Sequence, residues 1–281
     1  MRAFLTFSAV LIAAAGHGWI ETGHMVVAAI AEKGLNARAK ARVSELVKIG
    51  TDDRTNTFVT CGVWADDVKS SKDRDWHYIN IFFRRDGKPA DMEPPEENVV
   101  WAIRRFTKVL GDAKASRDDR AEALRYLVHF VGDVHQPLHA VSEVSTAWPS
   151  GDRGGNDFNI GPVSGWSERP LTNLHALWDF GCGAFLPVRR PLNAKGKDRI
   201  DQLATEIMKE VPRAKLSGLA ERDPMKWARE SHELAKREAY SLQRGRPVPE
   251  TYLSKGRATC RRQAALAGHR LADLLNRVLG S

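Results

Sequence analysis

Cysteine is scarce in this 281-residue chain, and no Cys-x-x-Cys spacing occurs. The three cysteines, Cys61, Cys182 and Cys260, permit at most one internal disulfide and leave one thiol over. Because structural zinc sites are commonly built from closely spaced cysteine pairs, the missing spacing argues against a thiolate zinc site.

Long apolar runs are missing after the N-terminal region, so no later segment has the length and hydrophobicity of a membrane span. The N-terminus itself carries Arg2, an apolar run from Phe4 to Ala15 and then small residues, which is typical of a secretory signal peptide. The alternative is a buried first helix. We therefore predict a signal peptide over residues 1–18 and an exported protein, periplasmic or extracellular, without stable membrane association.

The composition contains no sign of disorder or of a repeat array, and the chain is long enough to bury a substantial core. We expect one domain over residues 19–281. The net charge of +8 favours polyanionic partners, although a solvated basic surface is the alternative for each individual arginine pair.

The stretch from residue 125 to residue 139 carries the strongest chemical signal. Apolar residues recur there at helical spacing, so His129 and Asp133, four residues apart, project from one helix face. Such a pair can bind one metal ion, while the alternative is a surface pair or a core histidine. Pro137 lacks an N–H group and should kink or stop the helix, which would aim His139 at a second ion.

A second His-x-x-x-Asp pair, His175 and Asp179, follows a capping residue and ends at a glycine. The segment from residue 76 to residue 83 is aromatic and β-branched, which predicts a strand that carries His77. Further helices are predicted at approximately residues 22–34, 36–47, 96–110, 116–141, 172–181, 197–211, 224–242 and 257–279.

The candidate ligands are all nitrogen and oxygen donors, which suit catalytic zinc better than structural zinc. They exceed what one ion needs, so two or three ions that share ligands are expected, and Asp133 is the natural bridge because it has two oxygens. If cleavage follows Gly18, the free amine and the carbonyl oxygen of residue 19 can also chelate a metal. The full set is Trp19, His24, Asp66, His77, His129, Asp133, His139, His175 and Asp179.

With this set of residues, the sequence resembles the zinc-dependent single-strand nucleases of the S1/P1 type, which are related in architecture to zinc phospholipases C. The resemblance covers residues 19–179 through an ordered set of motifs: Trp-x4-His, Trp-Ala-Asp, His-Tyr-Ile-Asn, Leu-Val-His-Phe-Val-Gly-Asp-x-x-Gln-Pro-Leu-His, Gly-Gly-Asn and Asn-Leu-His-x-x-Trp-Asp. It implies a mainly α single-domain fold with a minor β element.

The resemblance also implies three zinc ions per chain. One ion would be held by Asp66, His77, His129 and Asp133, a second by His139, His175 and Asp179, and a third by Trp19, His24 and Asp133. The implied activity is endonucleolytic hydrolysis of single-stranded DNA and RNA by a monomer. Its products would carry 5′-phosphates, and 3′-nucleotidase activity is a further option.

One residue departs from the pattern of the fungal relatives, which carry an aspartate where this chain has Asn80. An amide can position water but cannot take its proton. We expect Asn80 and the metal-binding Asp66 to act in catalysis, with rate or pH optimum altered by the amide. Tyr78 and Asn156 occupy the base-recognition positions of the family, where stacking and hydrogen bonding suit an unpaired base.

Two other functions stay open from the sequence. A zinc phospholipase C would share the metal scaffold, but its last ligand is typically Glu, and this chain has Asp179. A non-catalytic zinc-storing or nucleic-acid-binding module would follow if Asn80 marks an inactive enzyme.

Overall fold

The computed structural model describes residues 18–280. The described part contains ten α-helices and four short strands, so the predicted mainly α fold is confirmed. The signal peptide predicted at residues 1–18 lies outside the described residues, apart from Gly18. The helices are α1 (Glu21–Gly34), α2 (Ala37–Leu46), α3 (Phe58–Cys61), α4 (Trp64–Asp67), α5 (Val99–Gly111), α6 (Arg117–Asp133), α7 (Leu174–Asp179), α8 (Ala194–Glu210), α9 (Pro224–Arg237) and α10 (Glu250–Leu279).

Three helices, α1, α6 and α10, form the centre of the fold. Every residue of α1 from Thr22 to Ala31 is buried, as expected for a helix that is enclosed on all sides. Helix α10 packs along α1 and also contacts α6. The second half of α6 is buried in the same way from Ala123 to Asp133, so the polar residues at its end lie inside the protein.

Helix α5 covers one side of α6 and shows why a surface helix forms at this position. Its buried residues recur at three- and four-residue steps, which gives the helix one apolar face. Asn98 caps its first turn by accepting hydrogen bonds from the backbone N–H groups of Val100 and Trp101, at 2.9 and 3.3 Å. The buried face consists of Val99, Val100, Ala102, Ile103, Phe106 and Leu110.

The strands are short and form two separate pairs. Strand β1 (Phe82–Phe83) lies parallel to β2 (Ser142–Glu143), with Phe82 opposite Ser142. Strand β3 (Asn159–Val163) lies antiparallel to β4 (Leu171–Asn173), with Asn159 opposite Asn173. The second pair leads directly into α7.

The strand predicted for residues 76–83 is wrong except at its last two positions. Residues Arg74–His77 form a 3₁₀ turn, and the chain becomes a strand only at Phe82. The aromatic side chains of this segment are half-buried, and the Trp76 ring lies 5.3 Å from the Trp101 ring of α5. Within residues 76–83 only His77 and Ile79 are buried, and the Trp76 ring packs against a helix and not against a neighbouring strand.

Helix α6 ends at Asp133, before Pro137, so the helix predicted for residues 116–141 is too long at its C-terminal end. Pro137 opens a separate 3₁₀ turn, Pro137–Ala140, and the side chain of Gln136 accepts a hydrogen bond from the Leu138 N–H at 2.6 Å. This change of direction turns His139 back toward α6. Among residues 18–280, no helix combines the length and the apolar character needed to cross a membrane.

Candidate metal centre

Three groups of side chains in the described residues place nitrogen and oxygen ligand atoms within 4.8 Å of one another. The first two groups share His129, and almost all members are buried. The groups are His24, His129 and Asp133; Asp66, His77 and His129; and His139, His175 and Asp179. The structure thus brings together residues that lie up to 155 positions apart in the sequence (179 − 24).

Asp133 lies at the centre of these groups and directs its two oxygens to different histidines. Its Oδ2 atom is 3.1 Å from His77 Nδ1 and 3.1 Å from His129 Nε2. Its Oδ1 atom is 3.5 Å from His24 Nε2. Because each oxygen faces a separate group, this carboxylate can bridge two ions.

Backbone carbonyl groups fix the ring orientation of three histidines. The Nδ1 atom of His129 donates to Gly62 O at 2.7 Å, that of His139 to His77 O at 2.7 Å, and that of His175 to Gly154 O at 2.8 Å. A donor at Nδ1 leaves Nε2 as the lone-pair atom. Such contacts orient metal-binding imidazoles and raise their basicity.

Several polar atoms of the centre are buried without a hydrogen-bond partner, namely both ring nitrogens of His24, Nε2 of His77 and Oδ1 of Asp133. Buried polar groups normally have partners, because leaving one unpaired costs about 1–3 kcal/mol. A cation between His24 Nε2 and Asp133 Oδ1, which lie 3.5 Å apart, would pair both of these atoms. The residues present therefore fit a metal centre with nitrogen and oxygen ligands.

The pKa values of the side chains in the centre depend on the charges of their neighbours. Burial, together with the neighbouring His129, lowers the pKa of His24 to about 3. Burial alone would lower the pKa of His129, but the carboxylates of Asp133 and Asp66 raise it to about 9. Burial opposes ionisation of Asp133, yet His129 and His139 hold its pKa well below the usual range. The carboxylate is therefore ionised and attracts cations.

Gln136 forms a hydrogen bond to a member of the third group, a contact that was not predicted from the sequence. Its Nε2 atom donates to Asp179 Oδ1 at 2.7 Å, and Asp179 Oδ2 lies 3.6 Å from His175 Nε2. Burial raises the pKa of Asp179 well above its usual value. The amide thus fixes one oxygen of this carboxylate and leaves the other toward the histidine.

Trp19 lies fully buried beside the group that contains His24. Its indole Nε1 donates to Gly132 O at 3.1 Å, and its ring packs edge-on against Phe185 at 5.0 Å. Gly18 lies against the side chains of His24 and Asp133. A Cβ atom at Gly18 would overlap Asp133 Oδ1 and lie 3.0 Å from His24 Nε2.

Comparison with known proteins identifies the family of this chain. A family model described as S1/P1 nuclease matches residues 19–280. The chain belongs to the S1/P1 nuclease family.

Relatives within this family come from plants and fungi. Nuclease P1 of Penicillium citrinum is 25% identical over 291 aligned positions, which cover 94% of this chain and 98% of that protein. Endonuclease 2 of Arabidopsis thaliana is 33% identical over 178 positions, covering 58% of this chain and 55% of that protein. Nuclease S1 of Aspergillus oryzae is 27% identical over 192 positions, covering 64% and 60% respectively.

The remaining candidate residues of this S1/P1 family member lie on two loops, one that follows His77 and one that follows Gly154, whose carbonyl oxygen accepts from His175. Asn80 follows His77 by three positions in the segment before β1. Tyr78 is half-buried, and its hydroxyl donates to Asp75 Oδ1 at 2.5 Å. Asn156 lies in the turn before β3, where its Nδ2 donates to Arg153 O at 2.8 Å.

Two basic residues near the candidate metal centre were missed by sequence reasoning. The Lys69 Nζ atom lies 3.7 Å from Asp66 Oδ1, with only 10% of the side chain exposed. The i, i+3 spacing from Asp66 was the available signal. The side chain of Arg190 is buried between the carboxylates of Glu21 and Asp67, although a basic residue in a basic chain is more often part of a solvated surface.

Three other histidines of the described residues lie outside these groups. His135 donates from Nδ1 to Val131 O at 2.7 Å and accepts from Arg270 Nη1 at 2.9 Å. His232 and His269 are buried and belong to none of the groups.

Proposed function

We propose that this protein is an exported, zinc-dependent endonuclease that hydrolyses single-stranded DNA and RNA and leaves 5′-phosphate ends. The observation that carries the proposal is the coincidence of two independent findings. The chain belongs to a nuclease family, and its buried histidines and aspartates converge into three adjoining groups of ligand atoms.

We assign the three ions to specific residues as the sequence resemblance implies. The first ion is held by Asp66, His77, His129 and Asp133. The second is held by His139, His175 and Asp179. The third is held by Trp19, His24 and Asp133. When bound, zinc supplies positive charge for the phosphate and lowers the pKa of water to about 7. The nitrogen and oxygen donor set and the unpaired buried atoms support this assignment.

Side chains at the edge of the centre would orient the reactants. Asn80 can accept or donate a hydrogen bond and so hold the attacking water, but it cannot remove the proton. Lys69 adds a positive charge beside Asp66, which favours an anionic substrate over a neutral one. The side chains of the protein therefore provide positioning and charge, and the proton acceptor is not Asn80.

Preference for single strands follows from the position of the base contacts. A base must reach Tyr78 and Asn156 while its phosphate lies at the metal centre. Taking a paired base out of a duplex costs a few kcal/mol, and an unpaired base avoids that cost. Stacking of one base on Tyr78 would add about 1–3 kcal/mol of binding.

Processing after Gly18 would complete the third site. The position of Gly18 between His24 and Asp133 supports this idea, because removal of the preceding chain opens that space and frees the Trp19 amine. Cleavage by a signal peptidase would couple export to assembly of the metal centre.

The test uses metal-replete protein that begins at Trp19, with end-labelled single strands of DNA and RNA and matched duplexes as substrates. We expect cleavage within the single strands, slow cleavage of duplex, and ends that carry 5′-phosphate and 3′-hydroxyl groups. Ends with 3′-phosphate, or equal rates on both substrates, would contradict the proposal. Phosphatidylcholine vesicles serve as the control for phospholipase C activity.

A further inference from the structure

The three cysteines are free and buried in this structure, and they occupy two separate places in the described chain. Cys61 lies on α3, where its Sγ contacts Phe58 O at 3.2 Å. Cys182 lies in the turn after α7, and Cys260 lies on α10. We propose that Cys182 and Cys260 form a disulfide bond and that Cys61 remains a thiol.

Cys182 packs against the face of α10 that carries Cys260. Gly256 and Cys260 are four residues apart and so lie one above the other on the helix. A Cβ atom at Gly256 would lie 2.6 Å from Cys182 Sγ, which places this sulfur directly against the helix surface. Burial and a hydrogen bond from one thiol to the other raise the pKa of Cys260 well above its usual value.

The backbone at Cys182 gives an independent reason to assign a role to this side chain. Gly181, Cys182 and Gly183 all have positive φ, at 59°, 52° and 94°. A residue with a Cβ atom pays about 1–2 kcal/mol in this region, and glycine does not. Cysteine therefore occupies a position where glycine would be the unstrained choice, and a bond from its sulfur would offset that cost.

A bond at this point would attach the metal centre to the longest helix. The turn that carries Cys182 connects Asp179 to Phe185, and Phe185 packs against Trp19. The Asp179 carbonyl also accepts a hydrogen bond from Ile20 N at 3.0 Å. Fixing this turn to α10 therefore fixes the two segments that position Asp179 and Trp19.

The bond forms by thiol–disulfide exchange with an external disulfide, either oxidised glutathione or a protein dithiol oxidase. One sulfur–sulfur bond forms between Cys182 and Cys260, and the external disulfide takes up the two electrons and two protons and becomes two thiols. Because both sulfurs are buried in the folded protein, we expect exchange during folding. In the cell this step rests on the export proposed above, but not on the nuclease activity.

The direct test is peptide mapping of the full-length mature protein after refolding with oxidised glutathione. Free thiols are alkylated in denaturant without reductant before digestion. We expect a linked peptide pair containing Cys182 and Cys260, together with alkylated Cys61. Three alkylated cysteines, or a linkage that includes Cys61, would overturn the proposal.

Stability measurements provide the second arm and need no activity assay. In oxidised protein, Cys182→Ala, Cys260→Ala and the double variant should lower Tm by the same amount, about 5 to 15 °C, because each breaks one bond that closes a loop of about 80 residues. Cys61→Ser serves as the matched control, and its Tm should respond to reductant as the wild type does.

Cys182→Gly separates a disulfide from simple space filling. Relief of backbone strain alone would raise Tm, whereas loss of the disulfide lowers it under oxidising conditions. We expect the decrease in oxidised protein and its disappearance in reduced protein. An increase under both conditions, or additive effects of the two alanine variants, would show that the sulfurs are not bonded. Metal content and nuclease rate, measured separately, report on the proposed function.

Discussion

Arg190 connects two segments that carry proposed metal ligands, and its removal makes a quantitative test of how the centre is held. Its Nε and Nη2 atoms donate to Glu21 at 3.1 and 2.9 Å, and its Nη1 and Nη2 atoms donate to Asp67 at 2.7 and 2.9 Å. Glu21 begins α1, which carries His24, and Asp67 adjoins Asp66 on α4. One guanidinium therefore ties the two helices together.

We expect Arg190→Ala to lower the free energy of unfolding by an amount between the values for breaking a buried ion pair and an exposed ion pair. Breaking a fully buried pair costs about 3–5 kcal/mol, and an exposed pair contributes at most about 1 kcal/mol. The arginine side chain is fully buried, but the Glu21 and Asp67 side chains are 42% and 32% exposed and can regain water. Arg54 lies 3.8 Å from Asp67 and offsets part of the loss. We therefore expect a loss of about 2 kcal/mol, or a decrease in Tm of roughly 4–8 °C.

Chemical and thermal unfolding of the variant, followed by circular dichroism, measure this loss. Arg189→Ala is the matched control, because the adjacent arginine is exposed, and it should match wild type. Arg190→Lys should be intermediate, since one ammonium group cannot bond two carboxylates at two points each. If the ion pairs of Arg190 also position the proposed metal ligands, the Arg190→Ala variant loses zinc to a chelator faster than the Arg189→Ala variant does. Stability of Arg190→Ala within about 0.5 kcal/mol of wild type would refute the reasoning.

Three further outcomes follow from the proposed centre. Asp133→Ala should lower turnover by more than about 100-fold and reduce zinc content, because even residues behind the ligands contribute 10–100-fold; wild-type turnover would contradict the bridging role. Asn80→Asp should keep full zinc content and raise turnover at neutral pH, since it restores a proton acceptor, and a loss of activity with metal retained would count against that role. Chelation should lower stability by about 4 kcal/mol if zinc is normally present at 1,000 times its dissociation constant, which calorimetry of metal-free and metal-replete protein can measure; equal Tm values would contradict metal-coupled stability.

The helices with one apolar face could be predicted from the sequence because their information is local. Helix α5 shows its buried residues at helical spacing, and the spacing of His129 and Asp133 on α6 was readable in the same way. Boundaries were less accurate because they depend on capping and tertiary contacts. Helix α6 stops at Asp133, four residues before Pro137, and this stop turns His139 toward the centre.

The features that the sequence did not reveal are contacts between distant segments. Arg190 pairs with Glu21 across 169 positions, and no local pattern marks such a partner. Gln136 bonds the proposed ligand Asp179 across 43 positions, and a glutamine alone carries no metal-binding signal. The position of Gly18 between His24 and Asp133 likewise depends on how α1 and α6 pack.

The most direct test of the account is anomalous diffraction at the zinc absorption edge from crystals of protein that begins at Trp19. We expect three peaks in each chain: one among Asp66, His77 and His129, one among His139, His175 and Asp179, and one between His24 and the Trp19 amine. Protein that retains Gly18 before Trp19 should lose only the third peak. A single peak, or three peaks in protein that retains Gly18, would contradict the proposed centre.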